Sequence, residues 1–298
     1  MTRRKLCSVI PVGPHHASNA NLFASIENDS SQESEFIIVL DGASVSISRE
    51  LQEFSSKHSN VKLMHSHARN PGGSRNLGMT EAKSEFLVFF DADDSFNTVE
   101  ILKGLEEATN QPDAIIFGFT VDGKSIGKST MHNSEVKNTS IQMLSDTLTN
   151  FPGIWRWVFR AESLAESKFH EFKMGEDIVF LINFLKIECR IEFSPRVVYN
   201  YNLNLPTQLT KSKTAKQDLL IAFKTAVAVI SNSETDIENR KIIGLASILL
   251  YSGIKHLGFI NRLRLLFFLL KNCIKSLSSF KLMISLITER PRVKYGKK

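Results

Sequence analysis

The sequence predicts an α/β protein: a doubly wound, mostly parallel sheet followed by a helical C-terminal region. Three observations carry that prediction. Over the first 120 residues, short apolar runs alternate with segments of helical period, the pattern of successive βαβ units. Several of those runs, such as FIIVL at Phe36–Leu40 and AIIFGF at Ala114–Phe119, are unbroken, as in strands covered on both faces. After about Thr210 the strand signals stop, and everything from Lys216 to Thr288 has helical period.

Taken in order, Leu6–Val12 reads as a strand and Ser18–Asn28 as a helix with Leu22, Phe23 and Ile26 on one side. Phe36–Leu40 is the second strand, Ser46–His58 a helix and Val61–His65 the third strand. A glycine pair precedes the helix Ser74–Lys83, and Glu85–Phe90 is a further buried strand. Val99–Thr109 is helical and Ala114–Phe119 a fifth strand. Residues 120–140 are polar and rich in small residues, as a hairpin or loop is. Ile154–Phe159 (IWRWVF) reads as a strand that points Trp155 and Trp157 one way and Arg156 the other. Glu176–Ile187 is a helix and Arg196–Tyr201 a strand. The expected division is a domain of residues 1–210 and a basic helical region of residues 211–298.

Charge is uneven along the chain. The net charge is +6, but residues 255–298 hold eleven Lys and Arg against one acid, Glu289, so the rest of the chain is slightly acidic. An acidic-to-neutral body lacks the basic face that nucleic acid requires. The three cysteines, Cys7, Cys189 and Cys273, are too far apart for a CxxC-type zinc site or a disulfide scaffold, which fits a reducing compartment. The apolar run at Leu6–Ile10 is short for a signal peptide, and no run reaches the roughly 20 apolar residues of a spanning helix.

In open parallel sheets, ligands bind beyond the carboxyl ends of the strands. The strand at 85–90 ends in Asp91-Ala92-Asp93-Asp94. Like charges ~5 Å apart repel by about 3 kcal/mol at an effective dielectric near 20, and a divalent cation is the natural compensation. The plain alternative is a solvated loop in which Asp94 or Ser95 caps the next helix. Asn70-Pro71-Gly72-Gly73-Ser74-Arg75-Asn76 leads into a helix, where free amides and Arg75 suit a diphosphate; a glycine-rich turn with an ordinary cap is the plain reading. No P-loop or GxSxG elbow is present. Gly175-Glu176-Asp177 opens an apolar helix; the acids complement the helix dipole or supply a general base. Of the two tryptophans, one can serve as a sugar-stacking platform and the other as core. His15, His16, His65 and His67 lack a third ligand at helix spacing and read as loop histidines.

The order of these signals resembles glycosyltransferase family 2, over roughly residues 6–205. SVIPV (Ser8–Val12) is similar to the family's opening strand and EFIIVLDG (Glu35–Gly42) to its second. GGSRNLGMTEA (Gly72–Ala82) resembles its Ala-Arg-Asn-x-Gly helix start, and FLVFFDADD (Phe86–Asp94) its metal-binding strand end. GEDIVF (Gly175–Phe180) resembles its Glu-Asp base motif, and VVYNY with QLTKS (Val197–Ser212) the strand and polar loop that come after. The resemblance implies the GT-A nucleotide-sugar fold. It also implies Asp91 and Asp93 as the Asp-x-Asp element, with Asp93 the direct ligand of Mn²⁺ or Mg²⁺. Asp41 would read the base, uracil; Pro11 would line the base and ribose pocket; Arg75 would meet the diphosphate. Asp177 would be the catalytic base and Glu176 an acceptor-positioning neighbour, with Trp155 the tryptophan read above as the acceptor's stacking platform. Gly13-Pro14, Leu40 and Val45 depart from the family pattern, all on the nucleotide side.

The activity that the resemblance implies is an inverting transfer from a nucleotide-sugar donor to a glycan or lipid-linked acceptor hydroxyl. A silent nucleotide- or glycan-binding scaffold on the same fold is the alternative. A nucleotidyltransferase would carry a basic glycine-rich loop where Gly13-Pro14-His15-His16 stands. In the tail, Arg264, Lys271 and Lys275 fall on one stripe of an otherwise apolar helix, with a further basic run from Arg290 to Lys298. This is the pattern of an interfacial helix, or of a core helix with a solvated face. The expected place is the cytoplasmic face of an anionic inner membrane, as a peripheral protein.

Overall fold

The computed structural model describes residues 4–125, 153–165, 167–185, 189–202 and 215–231. The chain divides into two compact units. The described residues of the first are 4–125, most of 153–171 and 189–202; those of the second are 172–185 and 215–231.

The described residues of the first unit form one nine-stranded sheet with helices packed on it. Its elements are β1 (Leu6–Val12), α1 (Ala20–Glu27), β2 (Ser34–Leu40), α2 (Val45–Lys57), β3 (Val61–His65), α3 (Pro71–Glu81), β4 (Phe86–Phe89), β5 (Ser95–Phe96), α4 (Thr98–Glu107), β6 (Ala114–Val121), β7 (Lys124–Ser125), β8 (Trp157–Arg160) and β9 (Ile191–Tyr201). The strand order is β3-β2-β1-β4-β8-β6-β9-β5, with β7 paired to β6. The α/β class stands, and the half β3-β2-β1-β4 is parallel as expected. The other half is mixed. β8 inserts antiparallel between β4 and β6, β6 and β9 are parallel, and β5 closes antiparallel on β9. The reason is connectivity: β4 reaches β8 by no simple helical crossover, so nothing enforces the parallel sense.

Local chemistry fixes the helix starts. Ser44, Asn70 and Asn97 each accept a backbone N–H three residues on, from Ile47, Gly73 and Glu100. Such caps contribute about 1 kcal/mol each. Asn97, not Asp94 or Ser95, therefore caps α4. Asp94 is left to bond elsewhere, and Ser95 pairs in β5 with Asn200.

The apolar runs are buried as their patterns demand. Leu6, Ile10, Phe36, Ile38, Val88 and Phe90 share one core with α1, α2 and α4. Helix α3 packs on β1 and β2, with Gly78 at the contact. A Cβ added there would lie 2.3 Å from Val9 Cγ1. Gly78→Ala is therefore expected to cost about 1–3 kcal/mol in chemical denaturation, as overpacking does. An unchanged midpoint would mean that α3 can lift from the sheet.

The expected strand 154–159 is corrected in part. Ile154–Arg156 is a turn of 3₁₀ helix, and the strand begins at Trp157. The turn breaks the alternation, so the two tryptophans do not share a face. Trp155 packs against the core of Leu6, Ile10 and Phe90, while Trp157 is sealed against Phe159.

In the second unit, helix α5 (Glu176–Leu185) contacts helix α6 (Ala215–Ser231). Helix α6 falls in the segment read as helical. The basic stripe at Arg264–Lys275 and the run to Lys298 lie outside the described residues. Among the described residues, no helix is long and apolar enough to cross a membrane.

Candidate active site

The parallel strands β1, β2 and β4 end at one edge of the sheet, and the residues singled out there come together. Beyond Val9, β1 has no partner on the β4 side, so Pro11 can lack an N–H without breaking that ladder. Pro11 is half-buried, in register with Val39.

Asp41, just past β2, is buried. Its Oδ1 accepts the Arg69 N–H at 2.9 Å; its Oδ2 accepts the Asn70 N–H and the Ser74 hydroxyl, each at 2.9 Å. One carboxylate thus ties the end of β2 to the loop that starts α3. Arg69 itself sits in the left-handed region (φ 54°), a conformation that a non-glycine residue adopts only when its surroundings hold it.

Arg75 projects from the second turn of α3 and is 3% exposed. Its Nη2 donates to Asp91 Oδ1 at 2.8 Å, and its guanidinium lies 5.4 Å from the Phe169 ring centre. The glycine pair thus lies inside α3, which begins at Pro71 and not at Ser74, and the start of that helix is joined to the acidic strand end, distant in sequence, by a charged hydrogen bond. Asp91 itself remains partly open to solvent.

The acidic run is not a uniform loop. Burial, and then the Asp91 charge, push the Asp93 carboxyl up to about 6. The Asp93 carbonyl accepts from Asn21 Nδ2 at 3.3 Å and Asn202 Nδ2 at 3.0 Å. Asp94 is buried; its two oxygens accept from Tyr199 Oη at 2.6 Å and the Asn202 N–H at 2.7 Å. Burial, reinforced by Asp91, raises it to about 8 against the opposing pull of those donors. Sequence reasoning missed Asn21, Tyr199 and Asn202 as holders of this loop. The one available signal was their polarity at the ends of otherwise apolar segments.

Trp155 lies beside this edge. It sits in the 3₁₀ turn just before β8, the strand that pairs antiparallel with β4. Its ring stacks on Tyr199 (4.4 Å, 8°) and runs parallel to Tyr201 at 5.9 Å, with Phe119 edge-on at 4.8 Å.

Against known proteins, the family model described as "Glycosyl transferase family 2" matches residues 20–167. The chain belongs to this family. That match covers α1 through β8, and so takes in Asp41, Arg75, Asp91, Asp93 and Trp155. A Campylobacter jejuni relative, "GalNAc(5)-diNAcBac-PP-undecaprenol beta-1,3-glucosyltransferase", is 24% identical over 190 residues, 61% of this chain and 60% of that protein. The chain thus spans about three-fifths of that relative's length. The S. aureus TarS structure in complex with UDP-GlcNAc superimposes with a TM-score of 0.65 at 18% identity, covering 84% of this chain and 73% of that one. The mannosyltransferase PcManGT from Pyrobaculum calidifontis, in complex with GDP-Man and Mn²⁺, gives a TM-score of 0.56 at 13% identity, covering 96% and 86%. These likenesses establish the GT-A fold.

Gly175-Glu176-Asp177 lies in the second unit, beyond the residues that the family model matches. Gly175 precedes α5 with φ 89°, a backbone conformation glycine adopts freely, and its carbonyl accepts the Val179 N–H. Glu176 is buried and Asp177 half-buried in the first turn. Asp177 Oδ1 accepts the Ile178 N–H at 2.8 Å.

Among the described residues, no group of three or more His, Cys, Asp or Glu could hold a metal by itself. Mg²⁺ and similar hard cations need less than that, because one or two carboxylates suffice when substrate phosphates complete the shell. Asp91 and Asp93 fit such a cation. They are oxygen donors, and burial, then the Asp91 charge, raise Asp93, a cost that a bound cation would offset.

Proposed function

We propose that this family 2 protein transfers a sugar, with inversion, from a UDP-sugar to a hydroxyl of a glycan or lipid-linked glycan. The observation that carries the reading is the meeting of Arg75 with Asp91, beside Asp93, at the carboxyl ends of β1, β2 and β4. The donor lies there: Pro11 and Asp41 on the nucleotide side, Arg75, Asp91 and Asp93 on the diphosphate side. Asp93 and Asp91 would hold Mn²⁺ or Mg²⁺, which would supply positive charge to offset that of the diphosphate. Asp177 takes the acceptor proton, the hydroxyl oxygen bonds to the anomeric carbon, and the bond from that carbon to the diphosphate breaks on the opposite face. Glu176 and Trp155 position the acceptor.

The lipid-linked acceptor draws on the Campylobacter relative's undecaprenol-linked substrate, and UDP on the TarS complex. The GDP-Man complex of PcManGT makes GDP the next nucleotide to try. The test is calorimetric titration with UDP in Mn²⁺ and in EDTA. Metal-dependent binding is expected; no binding of UDP or GDP in either condition overturns the reading. Binding without turnover on any acceptor would favour the silent scaffold, which the exposed Val45 and the fully engaged Asp41 leave open.

The basic tail, residues 255–298, fits peripheral attachment to the cytoplasmic leaflet, where a lipid-linked acceptor is met. Liposome flotation is expected to carry the full chain with anionic vesicles and not with neutral ones. A chain that stays at the bottom with both loses the membrane assignment.

A further inference from the structure

Arg156 takes no part in the transfer chemistry. It is 5% exposed, yet no carboxylate among the described residues pairs with it. Its Nε donates to the Phe117 carbonyl at 2.9 Å, and its guanidinium lies over the Phe119 ring, 4.9 Å from the centre. The two Nη atoms have no protein partner among the described residues and are not shut off from solvent. Other arginines of the fold differ. Arg75, as deeply buried, holds Asp91; Arg160 holds Glu85; Arg196 holds Glu100 and Glu107. A buried guanidinium without a counter-charge is costly, and folds keep one where a ligand supplies the charge. Burial alone draws its acidity toward neutral, to about 9.

The place is informative. Arg156 follows Trp155 in the 3₁₀ turn that leads into β8, and Trp155 stacks on Tyr199, whose Oη donates to Asp94 of the acidic edge. Phe119 touches both residues, face-on to the guanidinium and edge-on to Trp155. A planar fork beside an aromatic wall suits a sugar that carries an oxyanion.

We infer that Arg156 is an anion receptor of the acceptor site, taking a carboxylate or phosphate carried by the acceptor glycan. The assignment rests on the transferase reading for calling the ligand an acceptor; the binding itself is read directly. The two tryptophans of the chain, Trp155 and Trp157, flank Arg156, so their emission reports on it. Full-length protein, with UDP present to fill the donor site, is titrated with glucuronate, glucose 1-phosphate and glucose. Emission and Tm are followed in each case. At least one of the two anions is expected to shift emission saturably and raise Tm, with glucose doing neither. Which anion acts tells carboxylate from phosphate. Arg156→Met should weaken that response about tenfold or more, with a ligand-free Tm at or above that of the wild type, because an uncompensated charge is gone. A structural arginine would instead give a lower Tm in the variant and no anion response in the wild type. A wild type that ignores both anions, or answers glucose equally, overturns the inference, as does a response that survives in Arg156→Met. Should that variant fail to fold, the wild-type titrations still decide. Failure of UDP to bind in calorimetry counts against the transferase reading and leaves the anion titration standing.

Discussion

Replacing Asp177 by asparagine is expected to lower turnover by about two to four orders of magnitude while leaving UDP affinity within about twofold. The first figure is the usual worth of a positioned general base. The second comes from the proposed division of labour, in which Asp177 meets the acceptor proton and never the nucleotide. Asparagine is the right replacement because of what Asp177 does locally. Its Oδ1 accepts the Ile178 N–H at the start of α5. Asn keeps an oxygen for that donor and loses only the charge. The charge complements the helix dipole, and its loss costs about 0.3–1 kcal/mol.

The measurement is single-turnover kinetics beside calorimetry on one preparation. Joint loss of turnover and UDP binding, with a lowered Tm, would show that Asp177 is a helix-start residue and nothing more. The neighbouring Glu176 sharpens the comparison. It is buried where Asp177 is half-buried, so Glu176→Gln should act mainly on the KM for the acceptor.

How much of the fold was legible in the sequence differs by element, for physical reasons. β1 and β3 were readable to the residue, β1 as an apolar run buried almost throughout and β3 as a short, partly exposed strand bounded by polar turns. β8 was not. In IWRWVF a single 3₁₀ turn and a strand bury the same apolar residues, and three residues carry no period to separate them. That error put Trp155 and Trp157 on one face. β5 left no local signal at all. Two residues pair only because Tyr199 and Asn200, about a hundred positions on, lie alongside.

The site shows the same limit. Aspartates at strand ends were visible, as was Arg75 after the glycines. Their bonding was not, since Asp41 is held by a loop some thirty residues downstream and Asp94 by Tyr199 and Asn202. Sequence patterns report local preference, whereas these contacts are set by which strands become neighbours.

Asp91 and Asp93 are two positions apart, yet opposite effects on stability are expected from them. Asp91→Asn removes the partner of a buried guanidinium. Breaking a fully buried pair costs about 3–5 kcal/mol, but the Asp91 side chain is 36% exposed, and solvent screening brings the expected loss to about 1–3 kcal/mol. Asp93→Asn removes a half-buried charge that desolvation, and then Asp91, disfavours, so metal-free stability should hold or rise. The sign with pH agrees. The folded-state pKa of Asp93 lies above that of the unfolded chain. Its ionisation therefore weakens the metal-free fold as pH rises from about 4 through about 6, and the Asn variant should lose that slope. In Mn²⁺ the order reverses. On the proposed reading, a cation held by Asp91 and Asp93 would stabilise the wild type, and Asp93→Asn is expected to forfeit both that increment and metal-dependent UDP binding. Thermal melts of both variants, with Mn²⁺ and with EDTA, check the whole pattern. An Asp93→Asn protein that still gains stability from Mn²⁺ and binds UDP as the wild type does would remove Asp93 from the metal site. The Arg75–Asp91 pair would then stand as a structural tie between α3 and β4 alone.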